Sequence, residues 1–168
     1  RRGNLFGILG MILAVTVTFL TIEILPKNLV YILVFLTLGG LVGSFIALKI
    51  PMTAMPQLVA GFHSLVGLAA VFVAISAFLK PEVFNLGTVN HIKIASLIEM
   101  SLGASIGAIT FSGSVIAFLK LQGLMTGSPI IFKGQHFLNA IIGISILCLI
   151  AYLCISQQQN IFWILITM

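Results

Sequence analysis

Two ionisable side chains stand where an apolar sequence can least afford them, and a hydroxyl lies in register with one of them. His63 is embedded in MPQLVAGFHSLVGLAA, seven residues after Pro56, which is about 10 Å along a helix. An unperturbed imidazole titrates near pH 6.5, so a histidine held at membrane depth can take up and release a proton at physiological pH. Ionised side chains at the bilayer centre cost about 2.5–3.5 kcal/mol on insertion scales, and such groups usually face a bundle interior. Glu99 opens a second pattern: Glu99, Gly103, Gly107, Thr110 and Ser114 follow at spacings of three and four, which places them on one helix face. That stripe rises about 22 Å, with a carboxylate at one end, a hydroxyl at the other and glycines between. It predicts a polar seam with room for water. A matching face on the preceding run, His63, Gly67, Ala70, Ala74 and Ala77, predicts free space beside the imidazole. Two readings stand for each ionisable group: a hydrogen-bonded packing residue, or a member of a proton path.

No other constellation competes. His91 and His136 fall in connections, and Glu23 sits at a helix end beside Pro26, an interfacial position. Cys148 and Cys154 have no CxxC spacing and indicate neither a disulfide nor a metal site. Nucleophile elbow, Walker loop and dinucleotide GxGxxG are all missing; RRGNLFG and GGLVG lack the strand–turn–helix setting that such glycines need.

The framework that must position these groups is a membrane one. Only 7% of the 168 residues are charged and 60% are apolar, against about 25% charged in a soluble domain. Mean hydropathy is +1.26. A net charge of +5 comes from Lys and Arg scattered singly between apolar runs. They form no basic stripe, which excludes a nucleic-acid partner.

A span needs about 20 apolar residues, and the chain offers Leu5 to Leu25, Leu29 to Leu48, Met55 to Leu79, Ile94 to Leu121 and Phe137 to Ile155, with a sixth run starting at Ile161. The fold class is therefore all-α, a polytopic transmembrane helix bundle of five complete helices plus the start of a sixth. Between the third and fourth runs lies a polar connection, Lys80 to Lys93. Between the fourth and fifth lies a loop, Gln122 to His136. Phe162 and Trp163 suit an interfacial aromatic position. Gly39, Gly40, Gly43 and Ser44 mark a packing face on the second run. Placing the N-terminus in the cytoplasm puts Arg1, Arg2, Lys49, Lys120 and Lys133 inside and Lys27, Lys80 and Lys93 outside, the orientation that positive charge favours. A start without Met and a stop in mid-run lead us to expect a piece of a longer chain.

Four blocks carry a resemblance: RRGNLFGILGM at Arg1 to Met11, MTAMPQLVAGFHSLVGLAAV at Met52 to Val71, EMSLGASIGAITFSGSVIAFLKLQG at Glu99 to Gly123, and SPIIFKGQHFLNA at Ser128 to Ala140. Together they resemble the membrane domain of the β subunit of proton-translocating NAD(P) transhydrogenase, over nearly the whole chain. That family couples hydride transfer between NAD(H) and NADP(H) to proton passage across a membrane. The resemblance implies that residues 1–168 form a transmembrane proton-translocation domain, with a preceding helix, later helices and the NADP(H)-binding domain outside it.

It further implies an alpha subunit carrying the NAD(H) domain, a homodimer of the full assembly, and a multi-pass location in the bacterial inner (plasma) membrane. His63 falls on the histidine that the family implicates in proton translocation, and Glu99 and Ser114 on positions regarded as relevant to the channel. Ala54 and Gln57 stand where some members have acids, so no carboxylate there can be an essential relay in this chain. These residues alone cannot perform hydride transfer. Two other readings remain open at this point: an ion-coupled secondary transporter without nucleotides, and a structural membrane subunit in which His63 and Glu99 are replaceable.

Overall fold

The computed structural model of the chain describes residues 2–21, 26–89, 91–129 and 131–167; Glu23 and its expected interfacial position lie outside them. Among the described residues five helices are long and apolar enough to cross a membrane: Arg2–Leu20, Asn28–Lys49, Met52–Leu79, Ile94–Leu121 and Gln135–Ser156. The chain divides into two compact units, residues 1–50 and 51–168.

The first unit is α1 (Arg2–Thr21) and α2 (Pro26–Lys49). The hydroxyls of Thr16, Thr18 and Thr37 turn back on their own helices, as lipid favours. Thr16 Oγ1 donates to the Ile12 carbonyl at 2.8 Å and Thr37 Oγ1 to that of Leu33 at 2.8 Å. Lys49 closes α2, where a cation opposes the helix dipole, and its Nζ lies 4.2 Å from the centre of the Phe45 ring.

The second unit is built on an antiparallel pair, α3 (Met55–Leu79) and α4 (Ile94–Leu121). A 3-10 turn, Met52–Ala54, leads into α3, and Pro56 occupies its first turn, where a missing N–H costs nothing. The side chains that α3 buries are Ser64, Gly67, Val71, Ala74, Ala77 and Phe78. Their spacing alternates between three and four over most of this length, the repeat of a helix seam. On α4 the buried set is Ser96, Leu97, Met100, Ser101, Ala104, Ser105 and Gly107. Small residues dominate both lists because helices in lipid associate through close backbone approach rather than through a hydrophobic force.

The connection between them is more ordered than its composition predicts. A 3-10 turn, Pro81–Phe84, runs into a two-stranded antiparallel hairpin, β1 (Gly87–Thr88) with β2 (His91–Ile92), paired Gly87↔Ile92 and Thr88↔His91. Two positive-φ residues, Asn85 at φ 55° and Gly87 at φ 134°, carry the chain from the 3-10 turn into β1. A side chain on Gly87 would strike the His91 carbonyl oxygen, so this strand position calls for glycine.

Next, α5 (Gln135–Ser156) follows Gly134, which sits at φ 88°. It ends at Gln157, itself left-handed at φ 51°, and α6 (Gln159–Thr167) turns back. The short α6 buries Ile161, Phe162 and Leu165. Phe162 is 1% exposed and stacks on Phe78 with ring centres 4.2 Å apart and planes 10° apart. The interfacial place expected for Phe162 is thus corrected: its ring closes a core instead, because α6 folds onto α3 and α4. Trp163, one residue on, remains 39% exposed. Around this stack gather Ala74, Ala77, Ile92, Leu97, Met100 and Leu153, all at the hairpin end of the unit.

Candidate functional site

Contacts along the α3–α4 pair fix its register. Gln57 Nε2 donates to the Leu121 carbonyl at 2.8 Å. A Cβ on Gly61 would lie 3.5 Å from the Phe118 ring, and one on Gly67 would lie 2.7 Å from Phe111 N and 2.8 Å from the Gly107 carbonyl oxygen. Interpolated between these points, His63 is level with Ser114. Glu99 is level with the last turn of α3, about 20 Å farther along the pair at 1.5 Å per residue. The structure brings His63 and Ser114 to one height and places Glu99 near the other end.

The three share a property. Ser64, Ser76, Ser105 and Ser112 each turn their hydroxyl back on their own helix, to the carbonyls of Gly61, Phe72, Ser101 and Ala108 at 2.7, 2.8, 2.8 and 3.0 Å. By contrast, His63, Glu99 and Ser114 make no hydrogen bond among the described residues, nor does Thr110 of the same stripe. His63 and Glu99 are exposed on this chain and Ser114 is half-buried. Polar atoms at membrane depth with nothing bonded to them are free to meet water, a proton or another helix.

The expected water-filled seam is corrected. Eight residues of α-helix turn about 80° beyond whole revolutions, so Gly107 faces α3 while Glu99 does not. Gly107 is in backbone contact: a Cβ there would stand 2.8 Å from the Gly67 carbonyl oxygen and 3.1 Å from Ala70 Cβ. On the matching face of α3, α4 takes the space over Gly67, and Ala74 and Ala77 are buried, while Ala70 and His63 stay exposed. Of the two glycines in the stripe, Gly103 alone has open space over it.

A different polar set, passed over in the sequence, is buried within the 51–168 unit. Ser96, Ser101 and Ser105 of α4 and Ser64 of α3 are all buried, and Ser101 Oγ has no hydrogen-bond partner. The four-residue spacing of Ser101 and Ser105 was the available signal, hidden among the small residues of an ordinary packing face.

Among the described residues no group of three or more His, Cys, Asp and Glu could hold a metal ion. A groove of about 330 Å³ between α3, α4 and the end of α6 is apolar except for Ser112 and Thr167. No strand–glycine turn–helix unit of the kind that receives a dinucleotide is present among these elements.

Comparison with known proteins supplies the remaining context. The family model described as NAD(P) transhydrogenase beta subunit matches residues 1–168. A Rhodospirillum rubrum protein named NAD(P) transhydrogenase subunit beta is 52% identical over 136 residues, covering 81% of this chain and 29% of the relative. A second protein of that name, from a particular strain of the same organism, matches with the same figures. The chain thus spans under a third of the length of these relatives. With its five apolar helices it is a multi-pass membrane protein, and it belongs to the NAD(P) transhydrogenase beta subunit family.

Proposed function

We propose that this chain is the proton-conducting membrane part of an NAD(P) transhydrogenase, in which hydride transfer between NAD(H) and NADP(H) drives, or is driven by, proton movement across the membrane. The observation that carries the reading is the pairing in height of His63 and Ser114 on the two central helices, both with unspent hydrogen-bonding capacity, in a chain of this family.

His63 is the protonatable switch. Its imidazole accepts a proton from one side of the membrane and gives it up to the other, and Ser114 offers a hydroxyl at the same height to donate to or accept from the ring. Glu99 serves the far end of the path. About 20 Å separates it from His63 along the helix pair, too far for direct transfer, so water or further groups complete the relay.

Both nucleotides bind outside these residues: NADP(H) in a domain of the same subunit, NAD(H) in a domain carried by the alpha subunit. The enzyme is thus an oxidoreductase to which this chain supplies the proton step, in a homodimeric assembly of the bacterial inner membrane. With the N-terminus cytoplasmic, the segments 49–55 and 122–136 face the cytoplasm and meet the NADP(H) domain. In support, the Gln57–Leu121 hydrogen bond holds these two segments at one end of the α3–α4 pair.

The test is His63→Ala in the intact enzyme, with proton pumping and transhydrogenation measured together in proteoliposomes. Pumping is expected to be lost and coupled hydride transfer to fall with it. Pumping at the wild-type rate would overturn the assignment.

A further inference from the structure

The Gly67–Gly107 contact closes the space between α3 and α4 at mid-length. Anything that travels from the level of His63 to that of Glu99 must therefore pass beside the pair and not through it. The pair has two flanks, and the turn of about 100° per residue assigns side chains to them. Measured from the line of contact through Gly67 and Gly107, Leu68 of α3 and Ala108 and Ser112 of α4 lie about 100–140° to one side. This is the flank that α6 closes, where the three line a groove with Ile166 and Thr167. To the other side, within about 80°, lie His63 and Ala70 of α3 and Gly103, Thr110, Ser114 and Glu99 of α4. Because the helices are antiparallel, one sense of rotation brings both sets to the same flank.

That second flank is open on this chain: His63, Ala70 and Glu99 are exposed, and nothing stands over Gly103. Its threonine is also set differently from the others in apolar helices. Thr16, Thr18, Thr37 and Thr167 each donate to the carbonyl four residues back, at 2.8, 2.8, 2.8 and 3.1 Å. Thr110 has the same option in the Ile106 carbonyl and leaves it unused. Its Cβ lies 3.1 Å from the place of a Cβ on Gly67. The side chain is thus packed at the edge of the backbone contact, about 6 Å along the pair from the level of His63. An imidazole, a carboxylate and two unspent hydroxyls make this flank a poor surface for acyl chains, which satisfy none of them.

We infer that Thr110 is a further residue of the proton path, the hydroxyl that hands protons between His63 and the Glu99 end along the flank of α3–α4 opposite α6. This rests on the proton-conducting reading given above. The hydroxyl relays without a net change of state. Its oxygen accepts a proton from the His63 side, through Ser114 or a water, while its own proton passes to a water over Gly103. No charge stays on the residue, and the reverse sequence carries a proton the other way. Glu99 stands about 16 Å farther along α4, beyond the open floor at Gly103.

The experiment places the intact transhydrogenase in proteoliposomes and records proton pumping and coupled hydride transfer in H2O and in D2O. Thr110→Val keeps the shape and removes the hydroxyl; Thr110→Ser keeps the hydroxyl; Ser112→Ala removes a hydroxyl from the α6 flank. A second measurement asks which flank water reaches. In enzyme whose native cysteines, Cys148 and Cys154 included, are replaced by serine, Ala70→Cys and Leu68→Cys are treated with a water-soluble methanethiosulfonate, which reacts only with a hydrated thiolate.

Thr110→Val should lower pumping about tenfold, less than the full effect of a positioned proton-transfer group because water partly replaces a hydroxyl. Thr110→Ser and Ser112→Ala should stay within about twofold of wild type. The D2O effect on the coupled rate should rise in Thr110→Val, since the proton step has slowed; a packing role would leave it unmoved. Ala70→Cys should label and Leu68→Cys should not. Wild-type pumping in Thr110→Val would overturn the inference, as would a loss that Thr110→Ser shares in full. Equal labelling at Ala70→Cys and Leu68→Cys would overturn it too, and that comparison decides the matter where Thr110→Val does not assemble. A His63→Ala enzyme that still pumps sinks the proton-switch reading itself, whereas normal pumping in Thr110→Val beside a loss in His63→Ala sinks only the role of Thr110.

Discussion

The two ends of the 51–168 unit are built on opposite plans. At the hairpin end, four helices and a hairpin converge on one core, with Leu97, Leu153 and Phe162 at 2% exposure or less. At the other end, α3 and α4 meet with one side-chain hydrogen bond, Gln57 to Leu121, and one ring edge, Phe118 against Gly61. Glu99 belongs to the first region and His63 with Ser114 to the second. The group proposed to switch thus stands in the lightly held half, and the group proposed to serve the far end stands in the held one. Local opening costs least where buried contacts are fewest, so a change of state that reaches this unit is expected to move His63 rather than Glu99.

Substitutions can break or sharpen that contrast. Phe162→Ala should cause the largest loss, about 3–5 kcal/mol by the usual cost of removing a buried ring, read as a lowered unfolding midpoint in detergent micelles. A loss below about 1 kcal/mol would erase the distinction between the two ends. Gly67→Ala comes next. Its Cβ would meet backbone atoms at 2.7 and 2.8 Å, and overpacking of this kind costs about 1–3 kcal/mol. Gln57→Leu should cost about 0.5–1.5 kcal/mol, one hydrogen bond, and should speed amide exchange in the first turns of α3 while leaving Ile92 unaffected. Gly103→Ala, on the same helix as Gly107 but with open space over it, should stabilise by under about 1 kcal/mol through helix propensity alone. If Gly103→Ala destabilised more than Gly67→Ala, the register of the pair would be wrong.

Much of this architecture is written in the chain. The bounds of α3 and α4 coincide with the apolar runs Met55 to Leu79 and Ile94 to Leu121, because prolines and lysines punctuate both ends. The order within Lys80 to Lys93 was not legible. Its hairpin depends on positive-φ Asn85 and Gly87 and on an amide 65 residues away, Gln157. Phe162 read as interfacial since neighbouring aromatics at a helix start look alike until α6 is folded back on Phe78. His63, Glu99 and Ser114 could be picked out by type, but their relative heights could not, for the register of an antiparallel pair is set by contacts such as Gly67 on Gly107. The same contact explains the misread seam: small residues leave room only where nothing else has filled it.

That contact has a mechanical consequence. Where Gly67 and Gly107 touch, backbone meets backbone, with only Thr110, Ala70 and Val71 side-chain atoms at the edges of the contact, so little can repack or compress. Elsewhere along a helix pair a small displacement is absorbed by side chains yielding in turn. Here most of a displacement is taken up by the two backbones as whole rods. A tilt imposed at the Gln57–Leu121 end is therefore passed across the contact with little damping, as across the fulcrum of a pair of scissors.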